Sequence, residues 1–344
     1  MDKIQINYAE FYITNVCNYN CTACNRLNNY QFSGHQYWSD YEFEYTEWSK
    51  RLHLKEINIL GGEPTLNRTL NDWLYGINKL WPDTKTKSLS TNGTRLSYWK
   101  QIYKTLVDTK FTVKVNTHGR IKYKDTVDTI RDILVSPITE TYKCDYTKWV
   151  DAYNQVKDIS WPDCSTIDDY DKLPEDIKNE CKDIHKIDPE NFKKITGDLI
   201  LEDTNGVKFI VTYYEMFVTA PLKYNHDHTF SVYKSDPNKA HDVCISKYCH
   251  HFVKGKLYKC HHVVLLPEFD QQYNVIMTDK QRELLHSYKP ATINDSENEL
   301  QNFVNNIRNV IPQCSLCPSK LVDVPLNAST EKLKVKKKIT VDNI

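Results

Sequence analysis

Residues 16–24 read Val16-Cys17-Asn18-Tyr19-Asn20-Cys21-Thr22-Ala23-Cys24, a segment with three closely spaced cysteines. Gaps of three and two residues let a short loop aim three sulfur atoms at one small inorganic group. The polar residues between the cysteines are typical of a loop. The preceding residues, from Ile4 to Ile13, mix apolar and aromatic side chains as a strand does. We therefore expect a cysteine loop directly after the first strand.

Three thiolates are one fewer than a [4Fe-4S] cluster usually takes. A cluster held by Cys17, Cys21 and Cys24 therefore keeps one iron open for another ligand, as a catalytic cluster does. The alternatives are three free thiols or a zinc site, and zinc needs a fourth protein ligand. His35 is a candidate for that ligand, although nothing in the sequence singles it out.

A second motif follows a short apolar run from Ile57 to Leu60. The next residues are Gly61-Gly62-Glu63-Pro64, and two glycines at the end of a strand let the backbone approach a ligand closely. Apolar residues then recur at helical spacing between Leu66 and Leu80. This order predicts a strand, a ligand-binding turn and a helix, the repeating unit of an α/β fold. Glu63 could also cap that helix, because carboxylates are favoured at helix N-termini.

A third motif, Ser90-Thr91-Asn92-Gly93, follows the strand-like residues 86–89. With these motifs in this order, the chain resembles the radical S-adenosylmethionine (radical SAM) superfamily over about residues 4–120. The resemblance implies that the cysteine triad holds the catalytic cluster and that these residues contact SAM: Gly61, Gly62, Glu63, Pro64, Ser90 and Asn92. Ala23 is a departure, since the superfamily often has an aromatic residue near the adenine at that position.

Asn116 and His118 are further candidates for SAM contacts. They follow a strand-like run from Phe111 to Val115. In the superfamily, polar side chains at the end of the fourth strand commonly approach the ribose or the carboxylate of SAM. The alternative is that both residues order a turn.

The resemblance implies a partial (β/α)6-type TIM barrel with its ligands at the carboxyl ends of the strands. It also implies an enzyme that cleaves SAM reductively at the [4Fe-4S] cluster, forms a 5′-deoxyadenosyl radical and abstracts hydrogen from a substrate. The cofactor carries this chemistry, while the protein supplies binding, orientation and shielding. The electron would come from a donor such as a flavodoxin or a ferredoxin.

A second group of cysteines lies nearer the C-terminal end: Cys244, Cys249, Cys260, Cys314 and Cys317. Lys254-Gly255 predicts a hairpin turn before Cys260, and the final Cys-x-x-Cys follows a helical stretch from Glu297 to Val310. This pattern resembles the auxiliary-cluster modules of radical SAM enzymes, called SPASM or, when shorter, twitch. The resemblance implies one auxiliary [4Fe-4S] cluster on Cys249, Cys260, Cys314 and Cys317, with Cys244 as the substitute for one of them.

The same four thiolates also suit a structural zinc ion, which is the alternative for this site. Four histidines crowd the same stretch: His250, His251, His261 and His262. Each is a candidate ligand, but adjacent histidines more often face solvent or orient the ligands of a metal.

These patterns divide the chain into a barrel at residues 1–230, a SPASM/twitch-like domain at 231–325 and a lysine-rich tail at 326–344. An insertion is expected at about residues 140–195, where the periodic pattern fades. Asn205-Gly206 between two apolar runs predicts a hairpin, which modifies the barrel there. Helices are expected from Ser39 to Leu54, with Ser39-Asp40 as the N-cap, and from Leu96 to Val107.

Composition narrows the classes of function. The formal net charge is zero, from 45 Lys and Arg against 45 Asp and Glu, so no basic excess indicates nucleic acid. No run approaches the roughly 18 apolar residues of a membrane span, and the first residues lack the apolar core of a signal peptide. Without an export signal, eleven cysteines favour metal binding over disulfides. We therefore expect a cytoplasmic protein.

The leading hypothesis is an oxidoreductase or modifying enzyme that acts on a peptide or protein. The first alternative is the same chemistry on a sugar or another small molecule. A hypothesis of another class is a binding protein without enzymatic activity, stabilised by zinc at both cysteine groups.

Overall fold

The computed structural model describes residues 3–21, 23–28, 32–117, 123–144, 197–213, 216–217, 220–225, 227–244, 246–320, 324–325 and 328–329. The chain forms two compact units, one of residues 1–89 with 216–344 and the other of residues 90–215. His118 and residues 145–196 of the predicted insertion lie outside the described residues. The domain boundaries drawn from the sequence stay a prediction.

The first unit is built on a largely parallel sheet. Strand β1 (Ile4–Tyr12) lies between β12 (His250–Val253) and β3 (Leu52–Leu60), and β4 (Thr86–Thr91) follows β3, with every pair parallel. Strand β13 (Lys256–Tyr258) pairs antiparallel with β12, which gives the order β13-β12-β1-β3-β4. The strand that carries the cysteine loop therefore has neighbours from both ends of the sequence.

Helices α1 (Trp38–Arg51) and α2 (Leu70–Leu80) lie in the same unit. Phe11 of β1 is fully buried among aromatic rings, with its ring centroid 5.4 Å from Tyr45 of α1 and 4.7 Å from Phe252 of β12. Successive side chains of a strand point to opposite faces. Glu10 therefore faces away from this aromatic cluster.

Helix α1 ends three residues earlier than predicted. Residues 52–54 belong to β3, where Leu52 and Leu54 pair with residues of β1 and are fully buried. The predicted N-cap is also wrong, because α1 begins after Tyr37, which makes no side-chain capping bond. Pairing between distant strands outweighs the local helical pattern here.

The second unit contains a four-stranded sheet in the order β5-β8-β7-β6. Strands β5 (Thr112–Thr117) and β8 (Lys208–Tyr213) are parallel, while β7 (Gly197–Asp203) pairs antiparallel with both β8 and β6 (Ile138–Cys144). The predicted hairpin is confirmed between β7 and β8. Gly206 adopts φ +77° there, and Asp203 Oδ1 accepts hydrogen bonds from the backbone N–H groups of residues 205 and 207.

The described residues of this unit also form two α-helices, α3 (Ile102–Thr109) and α4 (Tyr123–Ile133). The predicted helix from Leu96 to Val107 is interrupted. A short 3-10 helix, Leu96–Tyr98, comes first, and α3 starts only after Gln101, whose φ of +65° is incompatible with a continuous helix.

The remaining elements of the first unit surround the C-terminal cysteines. Four helices lie here: α5 (Pro237–Asp242), α6 (His262–Tyr273), α7 (Asp279–His286) and α8 (Glu297–Asn305). Capping boxes at Thr278 and Ser296 start α7 and α8. Helix α6 packs Leu266 and Phe269 into the core against Phe230.

Three short pairs of strands also belong to this unit. β2 (Asn20–Cys21) pairs with β15 (Ala328–Ser329), and β9 (Met216–Phe217) pairs with β14 (Val324–Pro325). β10 (Lys223–Tyr224) pairs with β11 (Phe230–Ser231). The predicted α/β class with a largely parallel sheet is confirmed. Across the described ranges, no helix has both the length and the apolar character that a membrane crossing requires.

Candidate functional site

The predicted cysteine loop follows β1 and is held by its own backbone contacts. Asn15 N donates to Gly34 O at 2.8 Å, and the side-chain amide of Asn28 donates to Asn15 O at 2.6 Å. Cys24 N donates to Cys21 O at 3.2 Å, which makes a tight turn between the second and third cysteines. These bonds fix the loop at its start, at its last cysteines and at its exit.

The three thiols lie close enough to influence one another's titration. Burial raises the pKa of Cys17 to about 12; the N–H of Tyr19 opposes the increase and Cys24 adds to it. Burial, followed by Cys24 and Cys17, also raises the pKa of Cys21 well above its usual range. Within the part of the chain that the structure describes, no three Cys, His, Asp or Glu side chains stand at metal-ligand spacing. The fit to an iron–sulfur cluster therefore rests on the chemistry of three soft sulfur donors in one loop, not on a ligand geometry that is already formed.

Gly61 and Gly62 pack directly on the start of the cysteine loop. A methyl group at Gly62 would lie 2.3 Å from Val16 O and 3.0 Å from Cys17 Cβ, and one at Gly61 would lie 2.5 Å from Thr14 O. Gly62 N donates to Thr14 O and the next residue's N donates to Val16 O, both at 2.8 Å. Neither position has room for a side chain, so the two motifs form one packed arrangement.

The Glu63 side chain is fully buried and caps a short 3-10 helix, Pro64–Leu66. Its Oε1 accepts hydrogen bonds from Thr65 N at 3.0 Å and from Thr65 Oγ1 at 2.6 Å. The capping role suggested by the sequence is therefore confirmed, on this 3-10 helix rather than on α2. A contact between SAM and residues 61–64 stays a prediction.

Three further residues predicted to contact SAM belong to the second unit: Ser90, Asn92 and Asn116. Asn92 is buried and orders its own turn, because its Oδ1 accepts bonds from Thr94 N at 3.0 Å and Thr94 Oγ1 at 2.6 Å. Asn116 is half-buried near the end of β5. Asn92 thus orders a turn, which the sequence analysis did not predict for it, and the SAM contacts of all three residues stay predictions.

Four of the five C-terminal cysteines line one cavity of about 40 Å³: Cys244, Cys260, Cys314 and Cys317. They come from the end of α5, the end of the β12–β13 hairpin and a 3-10 helix, Pro312–Leu316. Burial raises the pKa of Cys260 to about 12, with Cys244 adding to the increase. Burial and the neighbouring thiols also hold the pKa of Cys317 well above its usual range. The fold thus gathers thiols from distant parts of the sequence around one space.

Cys249 is absent from the described lining of this cavity. Burial and then Glu10 raise its pKa to about 12, while Arg26 lowers it. The thiol therefore lies near the side chains of Glu10 and Arg26. Cys249 directly precedes β12, whose first residue, His250, pairs with Ala9 of β1. This pairing places Cys249 next to the strand that carries Glu10. The sequence pattern favours Cys249 as the fourth ligand of the auxiliary site, whereas the lining of the cavity favours Cys244.

The four histidines near the hairpin are all buried, so of the two expected roles, facing solvent or orienting a ligand, only the second fits them. His262 lines the cysteine cavity, with Nδ1 3.5 Å from Cys317 Sγ, as expected of a residue that orients a ligand. His251 instead lies against Glu10, with 2.9 Å between Nδ1 and Oε2.

Sequence reasoning missed the ion pair between Glu10 and Arg26, whose charged atoms are 2.6 Å apart. Two signals were available: a carboxylate inside the apolar run of β1 and an arginine two residues after Cys24. Nothing local connects either residue with position 251.

No protein-family model matches the chain. Two curated proteins named "Probable GTP 3′,8-cyclase", from Pyrococcus horikoshii and Pyrococcus abyssi, are 31% identical to it over 113 residues. That region is 33% of this chain and 35% of each relative, so the chain matches about a third of their length.

Solved structures give weaker likenesses. Streptococcus suis SuiB bound to S-adenosylmethionine is 21% identical with a TM-score of 0.28, over 33% of this chain and 25% of that chain. BtrN in complex with AdoMet and 2-DOIA is 12% identical with a TM-score of 0.39, over 97% of this chain and 98% of that chain.

The curated relatives are radical SAM enzymes. These relatives are enzymes, as the sequence predicts for this chain. The resemblance drawn from the three motifs is likewise confirmed: over about a third of its length, this chain is similar to radical SAM enzymes.

Proposed function

We propose that this chain is a radical SAM enzyme, with a [4Fe-4S] cluster on Cys17, Cys21 and Cys24 and with SAM beside residues 61–64. The observation that carries the proposal is the packing of the glycine turn on the cysteine loop, where Gly62 leaves no room for a methyl group. When bound, the cluster and SAM would supply one-electron cleavage to a 5′-deoxyadenosyl radical that takes hydrogen from the substrate. The chain's own part is to hold three thiolates in one loop and to keep that loop against the turn.

The finer parts of the proposal follow from the same resemblance. Ser90, Asn92, Asn116 and His118 are proposed as further SAM contacts, and a partial (β/α)6-type barrel is proposed as the architecture around them. A flavodoxin or a ferredoxin would supply the electron, and the cytoplasm is the proposed location.

We propose a second, auxiliary [4Fe-4S] cluster on Cys244, Cys260, Cys314 and Cys317, in a SPASM/twitch-like domain. Four thiolates surround a cavity of about 40 Å³, and a single water needs only about 10–15 Å³. Lys259, a basic residue of the cavity lining, suits an anionic occupant. Its ammonium also donates to Asn306 O at 3.2 Å, which keeps a cation at the cavity. Zinc on the same thiolates is the alternative occupant.

For the substrate we propose a peptide or protein, because radical SAM enzymes with such auxiliary modules often act on them. The name of the curated relatives, a cyclase of GTP, keeps a small molecule as the alternative, and a sugar belongs to that alternative.

The test is anaerobic reconstitution of the chain with iron and sulfide, followed by reduction with dithionite in the presence of SAM. We expect 5′-deoxyadenosine and about eight iron atoms per chain, four for each cluster. Cys17→Ala should abolish cleavage, and cleavage that survives this change contradicts the catalytic site. About four iron atoms with one zinc would assign the C-terminal cavity to zinc. Zinc alone without cleavage would overturn the proposal in favour of a binding protein.

The substrate class has its own test. A deuterated peptide library and deuterated sugars or nucleotides are supplied separately to the reconstituted chain, and deuterium in 5′-deoxyadenosine is measured. Deuterium transfer from the peptides alone supports the proposed class, whereas transfer from the small molecules alone refutes it.

A further inference from the structure

A buried polar network lies between the two cysteine regions of the first unit. We call Glu10, Arg26 and His251 the Glu10 network. Glu10 is on β1, His251 is on β12, and Arg26 is on the cysteine loop, two residues after Cys24. The parallel register of β1 and β12 places Glu10 directly beside His251. Three segments that are far apart in the sequence therefore meet at one carboxylate.

The carboxylate of Glu10 is the centre of these contacts. Its Oε2 accepts a hydrogen bond from Arg26 Nη2 at 2.6 Å and lies 2.9 Å from His251 Nδ1, while its Oε1 accepts one from Tyr8 OH at 3.0 Å. The side chains are 12% exposed at Arg26, 8% at Glu10 and 0% at His251. Both oxygens are thus engaged away from solvent.

The charges of the network compensate each other. Burial alone would raise the pKa of Glu10, but Arg26 and then His251 outweigh it and hold that pKa well below its usual range. Burial lowers the pKa of His251, so its ring is neutral and its Nδ1–H donates to Glu10. Removing either Glu10 or Arg26 would leave one uncompensated buried charge. The cysteine loop is therefore tied to β1 by an ion pair that tolerates little displacement.

The contacts continue from His251 to the C-terminal cysteines. The ring of His251 meets the ring of His261 edge-on, with 5.4 Å between centroids. His261 directly follows Cys260, and the next residue, His262, touches Cys317 Sγ at 3.5 Å. A path of buried side chains, continued by the backbone between His261 and His262, thus runs from Arg26 in the cysteine loop to Cys317 in the cavity.

We propose that the Glu10 network couples the two cysteine sites, so that metal in the C-terminal cavity favours the SAM-binding arrangement of the N-terminal loop. Glu10, Arg26 and His251 are then positioning residues, and the inference rests on the proposed function. Metal bound to Cys260 and Cys317 would fix His261 and His262, and through His251 and Glu10 it would fix Arg26 and the loop. Coupling of this kind is reciprocal, since each site must then affect the other equally.

A double-mutant cycle on the full-length, reconstituted chain tests the coupling. Its four members are the native chain, Arg26→Gln, Cys314→Ala/Cys317→Ala and the combination, and its readout is the dissociation constant of SAM. We expect loss of the C-terminal metal to weaken SAM binding on the order of fivefold or more in the native background. In the Arg26→Gln background the same loss should change it by less than about twofold. Equal effects in both backgrounds would overturn the coupling.

Further variants separate coupling from general destabilisation. Asp270→Asn breaks another buried ion pair, with Arg282, on a residue outside the network; the effect of the C-terminal metal should survive this change. Arg26→Lys keeps a cation beside Glu10 and should restore part of the coupling, which a purely steric role of Arg26 would not predict. Glu10→Gln, which preserves side-chain size, replaces Arg26→Gln in the cycle if the latter does not fold.

A second readout does not depend on SAM. Amide hydrogen exchange of residues 17–28 should rise when the C-terminal cavity loses its metal, and it should rise less when Arg26 is replaced. If exchange responds in this way while no SAM is cleaved, the coupling stands and the proposed function fails. If SAM is cleaved but neither exchange nor SAM affinity responds, the function stands and the coupling is overturned.

Discussion

Gly62→Ala should separate the geometry of the cysteine loop from the stability of the fold. The added methyl would lie 2.3 Å from Val16 O, about 1 Å short of the 3.4 Å at which ordinary contact begins. The three atoms nearest to this methyl are the carbonyl O and C of Val16 and the Cβ of Cys17. None of them lies at the end of a flexible side chain, so none can give way easily. Overpacking of this kind costs about 1–3 kcal/mol in the free energy of unfolding. A displacement of about 1 Å at a reacting centre reduces a rate on the order of 100-fold.

The assay is the rate of SAM cleavage per bound catalytic cluster, measured together with urea unfolding. Gly206→Ala is the matched control, because its methyl meets nothing within 4 Å but its φ of +77° strains any L-residue, at a cost of about 1–2 kcal/mol. We expect both variants to lose similar stability and only Gly62→Ala to lose cleavage. Native cleavage by Gly62→Ala, or an equal loss in both variants, would refute the claim that this contact positions the loop.

Three further predictions address the rest of the site. Cys244→Ser should lose about half the iron of the reconstituted chain, as expected for one of two four-iron clusters, whereas Cys249→Ser should keep it; the reverse result would restore Cys249 as the ligand. The metal-free chain should lose stability as the pH rises from about 9 to about 12. The pKa of Cys17 and of Cys260 is about 12 in the folded chain, whereas unfolded thiols titrate near 8.5, so only the unfolded chain loses these protons in that range. Urea unfolding at pH 8 and at pH 10 measures the difference, and equal stability at the two pH values contradicts the prediction. A chain that ends at Lys320 lacks β15, which pairs with Cys21, and should release iron from the N-terminal loop to a chelator faster than the full chain; an equal release rate would show that β15 does not support the loop.

The parts of the site that lie within one short stretch were predictable. The strand before Val16, the turn after Leu60 and the hairpin at Gly206 each depend on neighbours in the sequence, and their residue types report the local backbone directly. The turn also had a second function that the sequence did not reveal. Gly61 and Gly62 were expected to let a ligand approach the backbone closely. The structure shows that their missing side chains let residues 14–17 pack against this turn.

The parts that depend on pairing between distant segments were not predictable. Residues 52–54 carry a helical pattern but join β3, because burial of Leu52 and Leu54 against β1 is worth more than another turn of α1. The choice between Cys244 and Cys249 has the same origin. Spacing allows both, and only the folded structure shows that Cys244, not Cys249, is among the residues that line the cavity.

The register between β1 and β12 explains why the buried polar contacts belong to the core rather than to a surface patch. Phe252 stacks on Phe11 at 4.7 Å and meets Trp48 at 5.9 Å on one face of the sheet. On the opposite face the same register sets His251 beside Glu10. A slip of one residue would exchange the two faces, burying the histidine among aromatic rings and setting Phe252 against the carboxylate. The aromatic packing that stabilises the sheet therefore also fixes the position at which the carboxylate holds Arg26 and the cysteine loop.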